Sequence, residues 1–270
     1  MPDKSPIPGW EATISKVARK LYDGKLKGDL SPEMIRKHSD YLLKAMHTGF
    51  GEEGLAKIDA AQMAQLRDNI FYFSGFKNLQ QMKEISKLLT DKDGQVRSFS
   101  DFKKDVLAID ATYNVNYLGA EYEFATHASH SISFWHTAQA EKDTLPFLRW
   151  SAVMDDRTGA EDASLNGVTR PVDDPFWQTR YPPIHWRCRC LVTQEGPDAA
   201  VTPHQEIEQL GEPAPYFRFN SGIDNVIFPV DKDRFATVHP YAENTTAEEY
   251  KTVIDTVDDI LKEGDPDADN

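Results

Sequence analysis

The sequence predicts an α+β fold: a helical N-terminal half, then a small mixed or antiparallel β region with long loops, and a C-terminal helix. Three observations predict it. Apolar residues at helical spacing and helix-start signals fill the first half of the 270 residues. After residue 147, short alternating segments appear between stretches rich in Asp, Pro, Gly and aromatic residues. A capping-box pattern then opens one more helix.

Four helices are expected in the helical N-terminal region, residues 1–97. Ser31 and Pro32 give the clearest start, because serine is a good N-cap and proline suits the first helical position. The helix that they open should stop near Gly49. The four predicted helices cover, approximately, residues 10–22, 31–46, 52–73 and 78–89.

The next predicted domain, residues 98–195, begins with helices and ends with strands. Ser98 caps a helix that runs to about Ala111, and a long helix should follow from about residue 115 to 142. Alternating patterns predict strands at residues 147–154 and 188–193.

A C-terminal extension with short strands and one helix is predicted for residues 196–263. The strands should lie at residues 216–220 and 226–228, and Thr246 should open the helix. Residues 264–270 form an acidic tail that is predicted to be disordered.

Composition limits the function. The apolar fraction of 40% and the charged fraction of 27% are typical of a globular protein. The net charge of −14 disfavours general binding to phosphate backbones, which needs clustered Lys and Arg. The two cysteines cannot make a disulfide scaffold, so a reducing compartment is expected. We see no signal peptide and no membrane-spanning run, and therefore expect synthesis in the cytoplasm.

A metal site is one interpretation of His185, Cys188 and Cys190. Imidazole and thiolate are good zinc ligands, but a structural zinc needs four, and this cluster supplies three. A fourth would come from Asp155, Asp156, Asp162 or another histidine. The alternative is that His185 satisfies backbone groups while the cysteines pack as small apolar residues.

Other titratable clusters carry weaker predictions. His127, His130 and His136 lie on the long helix without the His-Glu-x-x-His pattern of metalloproteases, so we expect flank or interface histidines. Asp155 and Arg157 suit acid–base work, but also a loop in which Arg157 holds a carboxylate, or a turn with local hydrogen bonds.

No enzymatic signature is complete. The sequence has no glycine-rich phosphate loop, nucleophile elbow or dinucleotide fingerprint. A thiol nucleophile at Cys188 would need His185 and an orienting Asn or Asp, which we cannot identify. We therefore predict a protein that is not an enzyme and that needs no cofactor, apart from the zinc alternative.

An ordered set of residues in the second half resembles the Mu F-like domain of phage minor head proteins, also called head morphogenesis proteins. A Trp strand leads to Asp-x-Arg-Thr, then to a Leu-Asn-Gly turn, and then to Pro-Pro-x-His-x-x-Cys-Arg-Cys. We call these thirteen residues the motif: Trp150, Asp155, Arg157, Thr158, Leu165, Asn166, Gly167, Pro182, Pro183, His185, Cys188, Arg189 and Cys190.

The resemblance covers about residues 100–195, and residues 219–222 and 239–241 are similar to the tail region of some members. It departs from the family twice. Gly159 and acids stand where many members have Cys or His, which disfavours zinc, and Asn166 replaces the usual Asp. Asn-Gly is still a good turn pair.

The resemblance implies a structural minor head protein of a phage or prophage, made in the bacterial cytoplasm and incorporated into the virion. Implied partners are the portal protein, the major capsid protein or scaffold, with weak contact to packaged DNA and none with membrane. The alternatives are a toxin-like or nucleic-acid-processing enzyme, for which His204 and His239 are the histidines of the extension, or a zinc-stabilised interaction module. Trp177, Tyr181 and Trp186 suit either interface anchors or core packing.

Overall fold

Long helices form the N-terminal half in the computed structural model, which describes residues 5–26, 30–229 and 245–264. A six-residue π-helix, Thr112–Tyr117, joins the last two of them. The helices are α1 (Trp10–Tyr22), α2 (Pro32–Leu55), α3 (Ala60–Lys87), α4 (Phe99–Ala111) and α5 (Leu118–Glu141). The predicted helical N-terminal half and the α+β class are confirmed.

Capping residues in the sequence correctly predicted where two helices begin. The Ser98 side chain accepts a hydrogen bond from the Asp101 amide at 3.2 Å, and α4 begins at the next residue. A reciprocal capping box joins Thr246 and Glu249 at the start of the C-terminal helix, α10 (Ala247–Lys262). These caps satisfy amide groups that the first helical turn leaves without backbone partners.

One predicted helix break is wrong, because the glycine concerned serves close packing. The break predicted between residues 73 and 78 lies inside α3. A Cβ atom on Gly75 would come within 2.8 Å of Val257, so glycine is needed for the approach of α10. The break predicted near Gly49 lies two residues further on, because α2 kinks at Gly51, which has non-helical dihedral angles. At Gly49 itself a Cβ would lie 2.0 Å from the Thr126 carbonyl oxygen.

The β region is a three-stranded antiparallel sheet. Its strands are β1 (Phe147–Ser151), β2 (Thr169–Pro171) and β3 (Leu191–Glu195), in the order β2-β1-β3. The sequence patterns missed β2. They also extended β1 too far, because the Asn166 side chain accepts a hydrogen bond from the Ala152 amide (3.0 Å) where the strand ends. The predicted strand at residues 188–193 begins only at Leu191.

The strands predicted in the C-terminal extension are wrong within the described residues. A 3-10 helix, Pro215–Phe217, and α9 (Ser221–Asp224) occupy the first predicted segment and its surroundings, and residues 226–228 are not a strand. The Asn220 side chain explains part of this, because it accepts hydrogen bonds from the amides of Gly222 and Ile223 and so caps α9. Residues 239–241 and 265–270 lie outside the described residues.

Short helices link these segments of the second half. They are α6 (Ala160–Leu165), α7 (Phe176–Thr179) and α8 (His204–Ile207). The chain forms two compact units, as far as it is described. The first unit comprises Met1–Leu43, Arg67–Tyr122 and Val230–Asn270, and the second comprises Lys44–Leu66 and Glu123–Pro229. The contiguous domains predicted for residues 1–97, 98–195 and 196–263 divide the chain differently and stay a prediction.

A charged network lies inside the first unit, and no sequence pattern predicted it. Lys77, Glu121 and His38 are each at most 3% exposed. The Lys77 ammonium donates to Glu121 (2.6 Å) and approaches His38 Nε2 at 2.8 Å, while His38 Nδ1 lies 2.9 Å from the Ser74 hydroxyl. Burial is the main cause that lowers the pKa of His38, to about 4, so the ring is neutral and can accept from Lys77.

Replacement of Lys77 by methionine should destabilise the protein strongly. Lys77→Met leaves the Glu121 carboxylate buried without its ammonium partner, which costs about 3–5 kcal/mol of unfolding free energy. The matched control is Lys83→Met on the same helix, since Lys83 pairs with Glu249 (2.8 Å) at a partly exposed site. There the loss should be at most about 1 kcal/mol. Urea unfolding measures both, and equal losses would contradict the assignment.

Candidate functional site

The motif lies entirely in the second unit, around the three-stranded sheet. Trp150 stands on β1 opposite Val192 of β3, and it is fully buried. It belongs to an apolar cluster that includes Leu165, Trp177 and Tyr181. A sheet with such short strands needs an apolar face of this kind to be stable. The Trp and Leu of the motif are therefore core residues.

A two-point ion pair fixes the Asp-x-Arg-Thr turn. Arg189 donates from both terminal nitrogens to the two oxygens of Asp155, each at 2.7 Å. This pair is the main cause that holds the pKa of the Asp155 carboxyl well below its usual range. Arg157 reaches the same carboxylate only at 3.9 Å and is largely exposed, so the bidentate pair that we considered for Arg157 is made by Arg189 instead.

Local bonds close the same turn and the one that follows. Asp155 accepts from the Arg157 amide at 3.0 Å, and the Thr158 hydroxyl donates to the Val153 carbonyl. Gly167 then adopts a φ of 85° and donates its amide to the Trp150 carbonyl at 2.9 Å. Both turns are thereby tied to the end of β1.

The Pro-Pro segment is buried, with a cis bond between Pro182 and Pro183. Before it, the Tyr181 hydroxyl donates to the Ser131 carbonyl at 3.1 Å. Trp177 and Tyr181 are at most 1% exposed, so these two aromatic residues are core residues and not exposed interface anchors. Trp186 is half-buried and packs edge-on against Phe124 and Phe217.

His185 contacts Asp162, a residue that the sequence offered as one of several fourth ligands. Its Nε2 lies 3.0 Å from both carboxylate oxygens of Asp162, and its Nδ1 lies 2.9 Å from the Trp186 carbonyl. Burial alone would lower the pKa of His185, but the Cys188 sulfur, the Trp186 carbonyl and Asp162 together raise it. Of the other proposed fourth ligands, Asp155 is engaged by Arg189.

The two thiols of the motif lie beside the same carboxylate. One ligand atom from each of Asp162, Cys188 and Cys190 lies within 4.8 Å of the others, and all three residues are buried. Both cysteines are free. A hydrogen bond with Cys190 is the main cause that lowers the pKa of Cys188 to about 7, and the same contact raises the pKa of Cys190.

The helix histidines separate into different environments. His127 Nδ1 donates to the Cys188 carbonyl at 2.9 Å, so this ring supports the cysteine segment from α5. Burial lowers the pKa of His127, and its Nε2 has no hydrogen-bond partner in the described structure. His130 is exposed. The sequence could not predict the contact between His127 and Cys188, because the two residues are far apart along the chain.

Comparison with known proteins supports the resemblance that the motif indicates. Residues 74–193 match the sequence model of the family described as "Phage Mu protein F like protein", and this range contains every motif residue. The resemblance is therefore confirmed. No solved structure matches the chain.

Two curated relatives are similar over part of the chain. "Putative capsid assembly protein F" of Escherichia phage Mu is 37% identical over 106 residues, which is 39% of this chain and 22% of the relative. "Mu-like prophage FluMu F protein" of Haemophilus influenzae is 41% identical over 69 residues, 24% of this chain and 17% of the relative. The matched part thus spans about a fifth of the relatives' length. Among the described residues, no helix has the length and apolarity needed to cross a membrane.

Two tryptophans in the core of the second unit should respond differently to replacement by phenylalanine. Trp177 Nε1 donates to the Pro171 carbonyl at 2.9 Å, whereas Trp150 Nε1 has no partner in the described structure. Trp177→Phe should therefore cost about 1 kcal/mol more unfolding free energy than Trp150→Phe, because it removes this hydrogen bond while the Pro171 carbonyl still accepts from the Asp174 amide at 3.0 Å. Denaturant unfolding of both variants measures the difference, and a larger loss for Trp150→Phe would contradict these contacts.

Proposed function

We propose that this chain is a structural protein of phage or prophage head assembly, because residues 74–193 match the sequence model of the Mu F-like family. The observation that carries the proposal is the family match across the whole motif. A capsid-assembly name on one curated relative and a prophage source for the other support it. Because the chain spans only about a fifth of those relatives, their complete functions are not transferred.

The use of the motif's polar groups supports a role in assembly rather than catalysis. Arg189 and Asp155 bind each other, Asn166 caps the end of β1, and His185 binds Asp162. Each of these contacts fixes one segment of the second unit against another. Residues that make such contacts are suited to stabilise a surface that a partner protein recognises.

Head proteins are the partners that the charge favours. Strong binding to the DNA backbone needs clustered basic residues that displace counterions. This chain instead has a net charge of −14. We therefore propose contact with the portal protein, the major capsid protein or scaffold, and only weak contact with packaged DNA. In this proposal the protein is incorporated into the virion.

Deletion of the gene from its phage or prophage should abolish the formation of infectious, DNA-filled heads. Complementation should restore them, and the protein should be present in purified heads by mass spectrometry. Arg189→Ala, which frees the Asp155 turn while leaving the buried core unchanged, should complement poorly. Electron microscopy of lysates and plaque counts measure these outcomes.

The matched control is Lys142→Ala, because Lys142 and Asp173 form another exposed ion pair in the second unit (2.8 Å) outside the motif. It should complement fully, and circular dichroism should show that both variants fold. Normal head formation after deletion would overturn the proposed function. Absence of the protein from heads, with assembly impaired, would overturn only its incorporation into the virion.

A further inference from the structure

We propose that Asp162, His185, Cys188 and Cys190 form a structural zinc site in the second unit. Three of these residues already place ligand atoms within 4.8 Å of one another. Tetrahedral zinc with Zn–S bonds of about 2.3 Å and Zn–O or Zn–N bonds of about 2.0–2.2 Å separates its ligand atoms by about 3.3–3.8 Å. The three ligand atoms are therefore close enough for small side-chain movements to bring them onto one ion.

His185 supplies the fourth ligand. Its Nε2 stands 3.0 Å from both oxygens of Asp162, which is close to the separation of two ligands on one ion. Its Nδ1 is held by the Trp186 carbonyl at 2.9 Å. A ligand histidine commonly donates its other ring nitrogen to a carbonyl in this way, and that bond orients the coordinating nitrogen.

Charge balance is an independent reason to expect a cation. Asp162 is 6% exposed, and the neighbouring Glu161 has an Oε1 atom that is buried without a hydrogen-bond partner. Asp162, Cys188 and Cys190 are all buried, and His185 is half-buried beside them. Buried charges persist only when they are paired or bound to a metal. A divalent ion would neutralise this group.

The backbone around the cysteines presents both thiols to one place. Arg187 adopts a positive φ of 61°, and the Cys188 amide donates to the His185 carbonyl at 3.2 Å. His127 then binds the Cys188 carbonyl from α5. Asp162 enters from α6, so the ion would join two chain segments separated by more than twenty positions. The mixed sulfur, nitrogen and oxygen donors fit zinc better than calcium or magnesium.

Full-length protein purified under reducing conditions without added metal should contain about one zinc per chain by elemental mass spectrometry, because structural zinc binds tightly. Cobalt exchanged into the site should give a sulfur-to-cobalt charge-transfer band and the strong visible bands of tetrahedral cobalt. Chelation of the wild-type protein should lower its melting temperature. These measurements need no variant and so do not depend on a variant's ability to fold.

Cys190→Ser, Asp162→Asn and His185→Ala should each lower the zinc content, while Asp173→Asn should retain it. Asp173 is the matched control, since its exposed carboxylate pairs with Lys142 instead of facing the thiols. Wild-type protein with less than about 0.1 equivalent of zinc, and no binding in a zinc titration, would overturn the site. That result leaves the proposed function untouched.

Discussion

Burial of Trp150 against a sheet of very short strands is the constraint on which the second unit depends. Strands of five, three and five residues make few backbone hydrogen bonds, so the aromatic cluster around Trp150 and Trp177 must supply most of the stability. The sheet leaves little regular structure to hold the long loops. The loops are instead fixed by single polar contacts, such as the Asp155–Arg189 pair and the bond from the Ala152 amide to Asn166. The zinc proposed at the cysteines would add a further link of this kind.

The first unit is stabilised differently, by charged side chains that are buried between its helices. Lys77 and Glu121 offset part of each other's desolvation, and His38 and Ser74 occupy further hydrogen-bonding positions. Such a network stabilises one arrangement of α2, α3 and the start of α5, because any shift leaves a charge unpaired.

Sequence predicted features whose cause lies within one helical turn. Ser98 and Thr246 mark their helices because each cap bonds to an amide three residues away. Gly75 was wrongly taken to end a helix, because the contact with Val257 that explains a glycine there is remote in sequence. The three residues of β2 form a strand only through pairing with β1. For the site, the motif identified His185 and both cysteines, but the selection of Asp162 among four kinds of candidate required the fold.

The central claim is that the motif forms the stable core of the second unit rather than a mobile loop. Native-state hydrogen exchange tests it most directly. The Trp150 amide donates to the Val168 carbonyl at 2.8 Å, and the Gly167 amide donates to the Trp150 carbonyl at 2.9 Å. Both amides should exchange only through global unfolding of the unit, far more slowly than those of residues 196–203. Exchange of the Trp150 and Gly167 amides at the rate of that loop would contradict the claim.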